Sequence, residues 1–247
     1  MMPLRWSLLR RLPFSSLLEA GTLISILVIA GAVLLFAALV DNVVKGETHA
    51  FDRAVLLALR NPDDLADAIG PRWLEIMFRD ITSLGGTTVL ALMAAAVVGF
   101  LLIDGKRAAA LLVIVSVGGG ALLSSALKLA IGRPRPDLVV HLVEVHTPSF
   151  PSGHAMLSAV VYLTLGALLS RVEGPPRIKI YVLSLAVTLT FLIGLSRIYL
   201  GVHWPTDVLA GWCVGAGWAV LCWRLAVTLQ RRGEIEADVE VRRRQEF

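Results

Sequence analysis

The sequence predicts an all-α, polytopic membrane protein with six transmembrane helices. The 247-residue chain is 56% hydrophobic and has a mean hydropathy of +0.75, which is too apolar for a soluble domain of this length. Its apolar residues collect in six runs that contain no Asp, Glu, Lys or Arg. Most of these runs approach the ~20 residues that a membrane-spanning helix needs.

Each run defines one predicted span. The uncharged runs are Leu23–Val40, Ile81–Ile103, Ala108–Leu127, Ala155–Ser170, Ile180–Ser196 and Val208–Trp223. With their weakly polar neighbours included, the predicted spans are residues 21–40, 81–103, 108–128, 153–171, 178–196 and 206–226. The fourth and sixth runs are short alone and gain length from those neighbours. We therefore treat residues 1–247 as one membrane-embedded domain.

The first run is too long to be the apolar core of a signal peptide. Three arginines precede it, at Arg5, Arg10 and Arg11. A signal peptide has an apolar core of about 7–15 residues, and no small-x-small cleavage pattern follows Leu23–Val40. We expect a retained first span.

The basic residues predict the topology. They precede run one, separate runs two and three, separate runs four and five, and follow run six; these positions share one side of a six-pass protein. Positive charge marks the cytoplasmic side, so both termini are expected inside. Topology thus accounts for the net charge of +4 without a nucleic-acid partner. The residues are Arg5, Arg10, Arg11, Lys106, Arg107, Arg171, Arg177, Lys179, Arg231, Arg232, Arg242, Arg243 and Arg244.

The connections have two notable parts. The long polar segment Asp41–Asp80 lies on the predicted outer side, and its apolar patches predict short amphipathic helices at the membrane surface. Turns are expected at Asn61-Pro62 and Gly70-Pro71. The charged segment 231–247 is expected to be a short, partly disordered cytoplasmic tail.

Small residues inside the spans predict packing. Gly211 and Gly215 form a small-xxx-small pair in run six, and such pairs let membrane helices approach closely. Run three has a similar set: Gly118, Gly119, Gly120, Ser124 and Ser125. The two cysteines, Cys213 and Cys222, fall on opposite sides of the sixth helix and are not expected to pair.

The remaining polar residues of interest lie at the ends of spans. The ends of runs three and five and the starts of runs four and six share the predicted outer face. The polar positions there are Lys128, the segment Ile131–Pro136, the segment Pro148–His154, Ser196-Arg197, His203 and Asp207. Three separate polar clusters are therefore expected to converge on one side of the membrane.

Several of these residues suit the binding of a phosphate. Arginine forks match pairs of phosphate oxygens, and the cationic donors are Lys128, Arg133, Arg135 and Arg197. Ser152-Gly153 opens a helix, where free backbone N–H groups attract an anion. Gly153 also permits close approach of the backbone.

Two histidines and an aspartate complete a reaction centre. His203 and Asp207 are four positions apart, and Pro205 suits a first helical turn. Asp207 can hold one ring nitrogen of His203 and leave the other free to attack. His154 can then protonate the leaving oxygen. This chemistry requires no metal.

Each residue also has a simpler interpretation. Asp207 alone fits a residue favoured by the helix dipole, and Ser152 alone fits an N-cap. Arg133 and Arg135 fit surface charges that meet lipid phosphates. Their joint placement on one face favours the site.

The residues resemble the three-part signature of the type 2 phosphatidic acid phosphatase superfamily, which includes vanadium haloperoxidases. The matching motifs are K-x6-RP from Lys128 to Pro136, PSGH at Pro151–His154, and SR-x5-H-x3-D from Ser196 to Asp207. All signature positions are present in the family's order, across Lys128–Asp207. The six-span layout resembles that of the bacterial lipid phosphatases of the family.

The resemblance implies a role for each matched residue. His203 would become phosphorylated, Asp207 would orient it, and His154 would protonate the leaving group. The phosphoryl group would be held by Lys128, Arg135, Ser152, Gly153 and Arg197. Arg133 lies outside the signature and is given a supporting role at most.

The leading function is therefore an integral membrane phosphatase of the bacterial cytoplasmic membrane, with its site facing outward and no cofactor. The candidate substrates are undecaprenyl pyrophosphate, phosphatidylglycerol phosphate, phosphatidic acid and diacylglycerol pyrophosphate. A phosphotransferase that uses an acceptor such as lipid A would use the same residues. A haloperoxidase is disfavoured by the six spans, and an inactive transporter or scaffold by the intact histidine and aspartate set.

A metal site in the outer connection is a further alternative. His141 and His146 lie in the segment HLVEVH between the first two motifs. A plain loop is the favoured interpretation, and a rim contact to a lipid head group is favoured over metal binding.

Overall fold

A computed structural model describes residues 14–170 and 175–231 of the chain. It contains eight helices and two short strands within those ranges. In chain order they are α1 (Phe14–Lys45), α2 (His49–Leu57), β1 (Arg60–Asn61), β2 (Asp64–Ala68), α3 (Arg72–Ser83), α4 (Thr87–Ile103), α5 (Arg107–Ile131), α6 (Gly153–Leu169), α7 (Pro176–Tyr199) and α8 (Pro205–Arg231). The predicted basic residues 5–11, 171 and 232–244, and the tail 232–247, lie outside the described ranges.

Four helices are long and apolar enough to cross a membrane: Gly21–Lys45 of α1, Arg107–Ile131, Pro176–Tyr199 and Pro205–Leu229. A fifth span arises if α3 and α4 are counted together, although they are bent by 44° relative to each other. α6 has 17 residues, fewer than the ~20 that usually cross the hydrocarbon core. Among the described residues the six predicted spans thus correspond to four or five.

The bend between α3 and α4 corrects the second predicted span. That span was expected to begin at Ile81, but Ile81 belongs to α3 and α4 begins at Thr87. Gly85 and Gly86 lie at the break, where a methyl group on Gly85 would approach Cγ2 of Ile193 to 2.3 Å. The chain therefore turns where it contacts α7 closely, a constraint that apolar run length does not reveal.

The connection that follows α1, called the outer connection after its predicted side, contains α2, α3 and a small hairpin. The two amphipathic helices were expected, but the antiparallel pair β1–β2 was not, so the all-α prediction was wrong in this detail. Side-chain oxygens favour the turn, since Asn61 accepts a hydrogen bond from the N–H of Asp63 at 3.2 Å. The buried Arg60 donates to the carbonyl of Tyr199 at 2.9 Å, which ties the hairpin to the end of α7.

α6 is the central helix of the bundle and packs against α5, α7 and α8. α8 reaches it through Gly211 and Gly215, where a methyl group would lie 2.7 Å from the Ser152 carbonyl oxygen and 2.4 Å from that of Met156. The predicted close approach therefore occurs between α8 and α6. Cys213 and Cys222 are both free, as expected.

Gly215→Ala should destabilise the protein relative to Gly118→Ala. Both changes add one methyl group to a helix. Each therefore gains the same helix propensity, up to about 1 kcal/mol. Only the methyl on Gly215 meets other atoms, because Gly118 has nothing within 4 Å. Overpacking costs about 1–3 kcal/mol, so Gly215→Ala should have the lower melting temperature in detergent. Equal melting temperatures would contradict the packing account.

An apolar cluster joins α2 to the bundle at one end. Its buried members are Leu56, Val139, Ala155, Ile198, Trp204 and Val208. These residues come from α2, α6, α7, α8 and the connections beside them, so burial of apolar surface fixes the outer connection against these helix ends. The same end carries the predicted reactive residues.

Candidate active site

The predicted site residues converge at the end of α5, the start of α6, the end of α7 and the start of α8. The N–H of Ser152 donates to the carbonyl of Asp207 at 2.9 Å, which joins the starts of α6 and α8. The N–H of Ser149 donates to the carbonyl of Arg133 at 2.8 Å, which ties the first two motifs together. Backbone hydrogen bonds therefore set the relative positions of the three motifs.

His203 and Asp207 form a buried pair. Nδ1 of His203 lies 3.3 Å from Oδ2 of Asp207, and their side chains are 2% and 0% exposed. Ser149 donates its hydroxyl hydrogen to the same carboxylate oxygen, and its Oγ also lies 3.3 Å from Nδ1. The backbone N–H of Trp204 donates to Oδ2 at 2.9 Å. Asp207 is therefore held by several donors, and Nδ1 faces acceptors.

The other ring nitrogen of His203 faces Arg135. Nη1 of Arg135 lies 3.2 Å from Nε2. A guanidinium can only donate hydrogen bonds, so Nε2 accepts and the ring proton resides on Nδ1. Arg135 is itself held by the carbonyls of Thr147 at 2.8 Å and Val202 at 2.7 Å. This tautomer leaves the Nε2 lone pair on the side where cations gather.

The surroundings of His203 favour its neutral form. Burial lowers the pKa of His203 well below its ordinary value, and the positive charges of Arg135, Arg197 and Lys128 lower it further. Both effects disfavour a second proton on the ring. A neutral imidazole has a free lone pair, as a nucleophile requires.

The acid limb of kcat/KM should accordingly lie below pH 6.5, the ordinary pKa of histidine. The lowered pKa keeps His203 neutral as the pH falls through that value, and kcat/KM reports the free enzyme. Arg135→Gln should move the limb to higher pH, because it removes one of the charges that lower the pKa. Rates across the acidic range would test this, with substrate ionisation followed separately by phosphorus NMR. After correction for substrate ionisation, an acid limb at or above pH 6.5 would contradict this account. An acid limb that does not move in Arg135→Gln would contradict it as well.

The remaining phosphate-binding candidates surround this pair. Lys128 donates from Nζ to the carbonyl of Pro148 at 2.6 Å, and its Cε would lie 3.5 Å from a methyl group on Gly153. Arg197 donates from Nη1 to Thr82 at 2.9 Å. Nε of Arg197 and Oγ of Ser152 are buried without a hydrogen-bond partner in the described parts of the chain. Buried polar atoms of this kind usually have partners, and an anion would supply one.

His154 lies at the start of α6, half-buried. Its Cδ2 would be 3.4 Å from a methyl group on Gly85, so the bend between α3 and α4 borders it. The positive charges of Arg197, Arg135 and Lys128 lie close enough to act on it. The structure thus groups His154 with the other predicted residues.

Sequence reasoning undervalued two buried residues beside the pair. Arg133, given a supporting role at most, is 8% exposed and donates to Oδ1 of Asp207 at 2.6 Å. It also contacts Asp52 of α2 at 2.7 Å, and Asp52 is fully buried. Residues two apart in an extended segment share a face, so the spacing of Arg133 and Arg135 around Pro134 did not indicate that Arg133 alone turns toward Asp207 and Asp52.

The outer histidines lie apart from this cluster. Nε2 of His141 is 2.6 Å from the carbonyl oxygen of Pro136 and therefore donates to it, while His146 is exposed. Within residues 14–170 and 175–231, no group of three or more His, Cys, Asp or Glu side chains is arranged to hold a metal ion.

Comparison with known proteins identifies the family. The PAP2 superfamily model matches residues 109–231. The chain is 33% identical over 183 residues to phosphatidylglycerophosphatase B of Bacillus subtilis, covering 74% of this chain and 84% of that protein. It is 35% identical over 88 residues to an undecaprenyl-diphosphatase of Sulfolobus acidocaldarius, about a third of either chain (36% of each).

A solved structure agrees with this assignment. The crystal structure of a transmembrane PAP2 type phosphatidylglycerolphosphate phosphatase from Bacillus subtilis matches with a TM-score of 0.68 and 29% identity. The match covers 83% of this chain and 96% of that chain. The resemblance seen in the three motifs therefore extends over most of the chain, and the chain belongs to the PAP2 superfamily.

Proposed function

We propose that this protein is a membrane lipid phosphatase that hydrolyses a phosphomonoester or pyrophosphate of a lipid through a phosphohistidine intermediate. The observation that carries the proposal is the orientation of His203. Its Nδ1 faces Asp207 and Ser149, while Nε2 faces the Arg135 guanidinium. A histidine held in this way is a nucleophile with its lone pair directed at an anion site.

The proposed reaction has two displacements. Lys128, Arg135, Arg197 and the Ser152-Gly153 helix start hold the phosphoryl oxygens. Nε2 of His203 attacks phosphorus, the bond from phosphorus to the leaving oxygen breaks, and His154 donates its proton to that oxygen. Asp207 stabilises the proton on Nδ1 as the ring gains positive charge.

In the second displacement, water attacks the phosphohistidine. His154 takes a proton from that water, the P–N bond breaks, and inorganic phosphate leaves. His203 regains its Nε2 lone pair and His154 its proton, so the enzyme returns to its starting state. No step in this sequence requires a metal ion or cofactor.

We place the protein in the bacterial cytoplasmic membrane, with both termini inside and the site at the outer surface. The distribution of Lys and Arg along the sequence supports this orientation. The four helices of spanning length support the membrane location. A lipid tail would lie among the helices while its head group meets the cations at their ends.

Phosphatidylglycerol phosphate is the first substrate to test, because the relative matched over most of this chain is named for it. The panel should also contain undecaprenyl pyrophosphate, phosphatidic acid and diacylglycerol pyrophosphate. Purified protein in detergent should release inorganic phosphate from at least one lipid, and Asp207→Asn should slow that release by about 10⁴-fold and leave a measurable residual rate. No release from any lipid would overturn the proposal. Phosphate found only on an added lipid A acceptor would favour a phosphotransferase.

A further inference from the structure

A buried ionic chain connects the outer helix α2 to the candidate nucleophile. Nη2 of Arg133 lies 2.7 Å from Oδ2 of Asp52, and Nη1 lies 2.6 Å from Oδ1 of Asp207. Oδ2 of Asp207 faces Nδ1 of His203 at 3.3 Å. One guanidinium therefore links a carboxylate of the outer connection to the carboxylate that holds the histidine.

The three side chains of this ionic network are buried inside the protein. The side chains of Arg133 and Asp52 are 7% and 1% exposed, and that of Asp207 is fully buried. Burying charges costs free energy that close pairing and further hydrogen bonds must offset. Arg133 also lies over the ring of Trp204, with its Cζ 5.5 Å from the ring centroid. Solvent and salt therefore screen these contacts far less than they would screen a surface pair.

Both oxygens of Asp52 are directed at the start of α8. Oδ1 accepts the backbone N–H of Thr206 at 3.0 Å, and Oδ2 accepts the Thr206 hydroxyl at 2.7 Å. That hydroxyl also accepts from Nη1 of Arg133 at 2.8 Å. Asp52 thus holds the residue that immediately precedes Asp207, as well as the arginine that contacts Asp207.

These contacts fix the rotation of the Asp207 carboxylate. Arg133 occupies Oδ1, so Oδ2 is the oxygen presented to Nδ1 of His203. If the carboxylate turned, the proton on Nδ1 would lose its charged acceptor and keep only Oγ of Ser149, and the tautomer with a free Nε2 would be less favoured. A guanidinium suits this bridge because its fork reaches two carboxylates in one plane.

We propose that Asp52 is a positioning residue for the reaction, acting through Arg133 and Thr206 on Asp207 and thereby on His203. This inference rests on the proposed phosphohistidine mechanism. It makes α2 part of the active site although Asp52 contacts no phosphate-binding residue. At metal sites, partners one step removed from the ligands contribute about 10–100-fold to activity, and we expect an effect on the same scale for Asp52.

The first test compares Asp52→Asn with Asp63→Asn. Asn keeps the shape of Asp52 but replaces one acceptor oxygen with an N–H donor that cannot accept from Arg133 or Thr206. We expect kcat to fall about 10–100-fold with little change in KM, because Asp52 does not contact the substrate. Asp63 is an exposed residue of the same connection, so Asp63→Asn should keep the wild-type kcat. A wild-type kcat in Asp52→Asn would overturn the inference.

A double-mutant cycle separates positioning from general structural support. In the Asp207→Asn background, Asp52→Asn should change kcat by less than about twofold, since it acts through a carboxylate that is already gone. A structural role would lower kcat by the same factor in both backgrounds, and that result would overturn the inference. Arg133→Lys gives a second arm: it keeps the charge, loses the fork, and should lower kcat with the same non-additivity.

Thr206→Val keeps the test decisive if the ionic variants do not fold. It preserves side-chain shape and removes only the hydroxyl link, so kcat should fall about fivefold, the scale of one hydrogen bond. An unchanged kcat would contradict the inference. The two proposals fail differently: no lipid phosphate release by the wild type would overturn the proposed function, whereas normal release with an insensitive Asp52 would overturn only the positioning role.

Discussion

His203→Ala should eliminate lipid phosphate release while leaving a folded protein. The proposed reaction has no route to inorganic phosphate without Nε2, because the phosphoryl group is transferred to that atom before water attacks. Loss of a covalent nucleophile costs up to about 10⁶-fold in kcat. Release should therefore fall to the background rate in a detergent assay, and circular dichroism and melting should show a helical, cooperatively folded variant.

A second measurement connects the loss to the intermediate. Wild-type protein mixed rapidly with lipid labelled in its phosphate should retain an acid-labile, alkali-stable label, as expected of a phosphohistidine, and His203→Ala should retain none. His146→Ala is the matched control, since His146 is an exposed histidine of the connection between α5 and α6 and should keep full activity. Phosphate release by His203→Ala near the wild-type rate would overturn the proposed mechanism.

The sequence predicted the helices better than their ends. Hydrocarbon burial demands long uncharged segments, so apolar runs locate α1, α5, α7 and α8 closely. The bend at Gly85 was not predictable, because it depends on the contact with Ile193 of α7. The hairpin was missed for a different reason: its first strand has only two residues, too few for an alternating pattern.

The site separates in the same way into local and long-range parts. His203 and Asp207 are only four positions apart, and the predicted span ends put Lys128, His154 and Arg197 on the same side of the membrane as this pair. The role of Asp52 had no local signal, since it lies 81 positions from Arg133. An aspartate in a polar, acidic connection looks like a solvated charge until the fold buries it. Partners of that kind become visible only in three dimensions.

His154→Ala should slow the reaction by an amount that depends on the leaving group. A general acid contributes typically ~10²–10⁴-fold. That contribution matters most when the leaving oxygen would otherwise depart as an alkoxide. Phosphatidic acid has such a leaving group, whereas diacylglycerol pyrophosphate loses a phosphate monoester, which departs readily without a proton. The two lipids share the same tails, so they form a matched pair for this comparison.

The loss on phosphatidic acid should therefore exceed the loss on diacylglycerol pyrophosphate in the phosphoryl-transfer step, measured by rapid quench. His154 also activates water in the second displacement, so His154→Ala should accumulate phosphohistidine from diacylglycerol pyrophosphate and show a burst of phosphatidic acid before a slow steady state. Wild type provides the control, because its acid and base steps are both intact. Equal losses on the two lipids in the first step, with no burst, would assign His154 a role in binding instead of proton transfer, because binding the terminal phosphoryl group makes the same demands in both substrates.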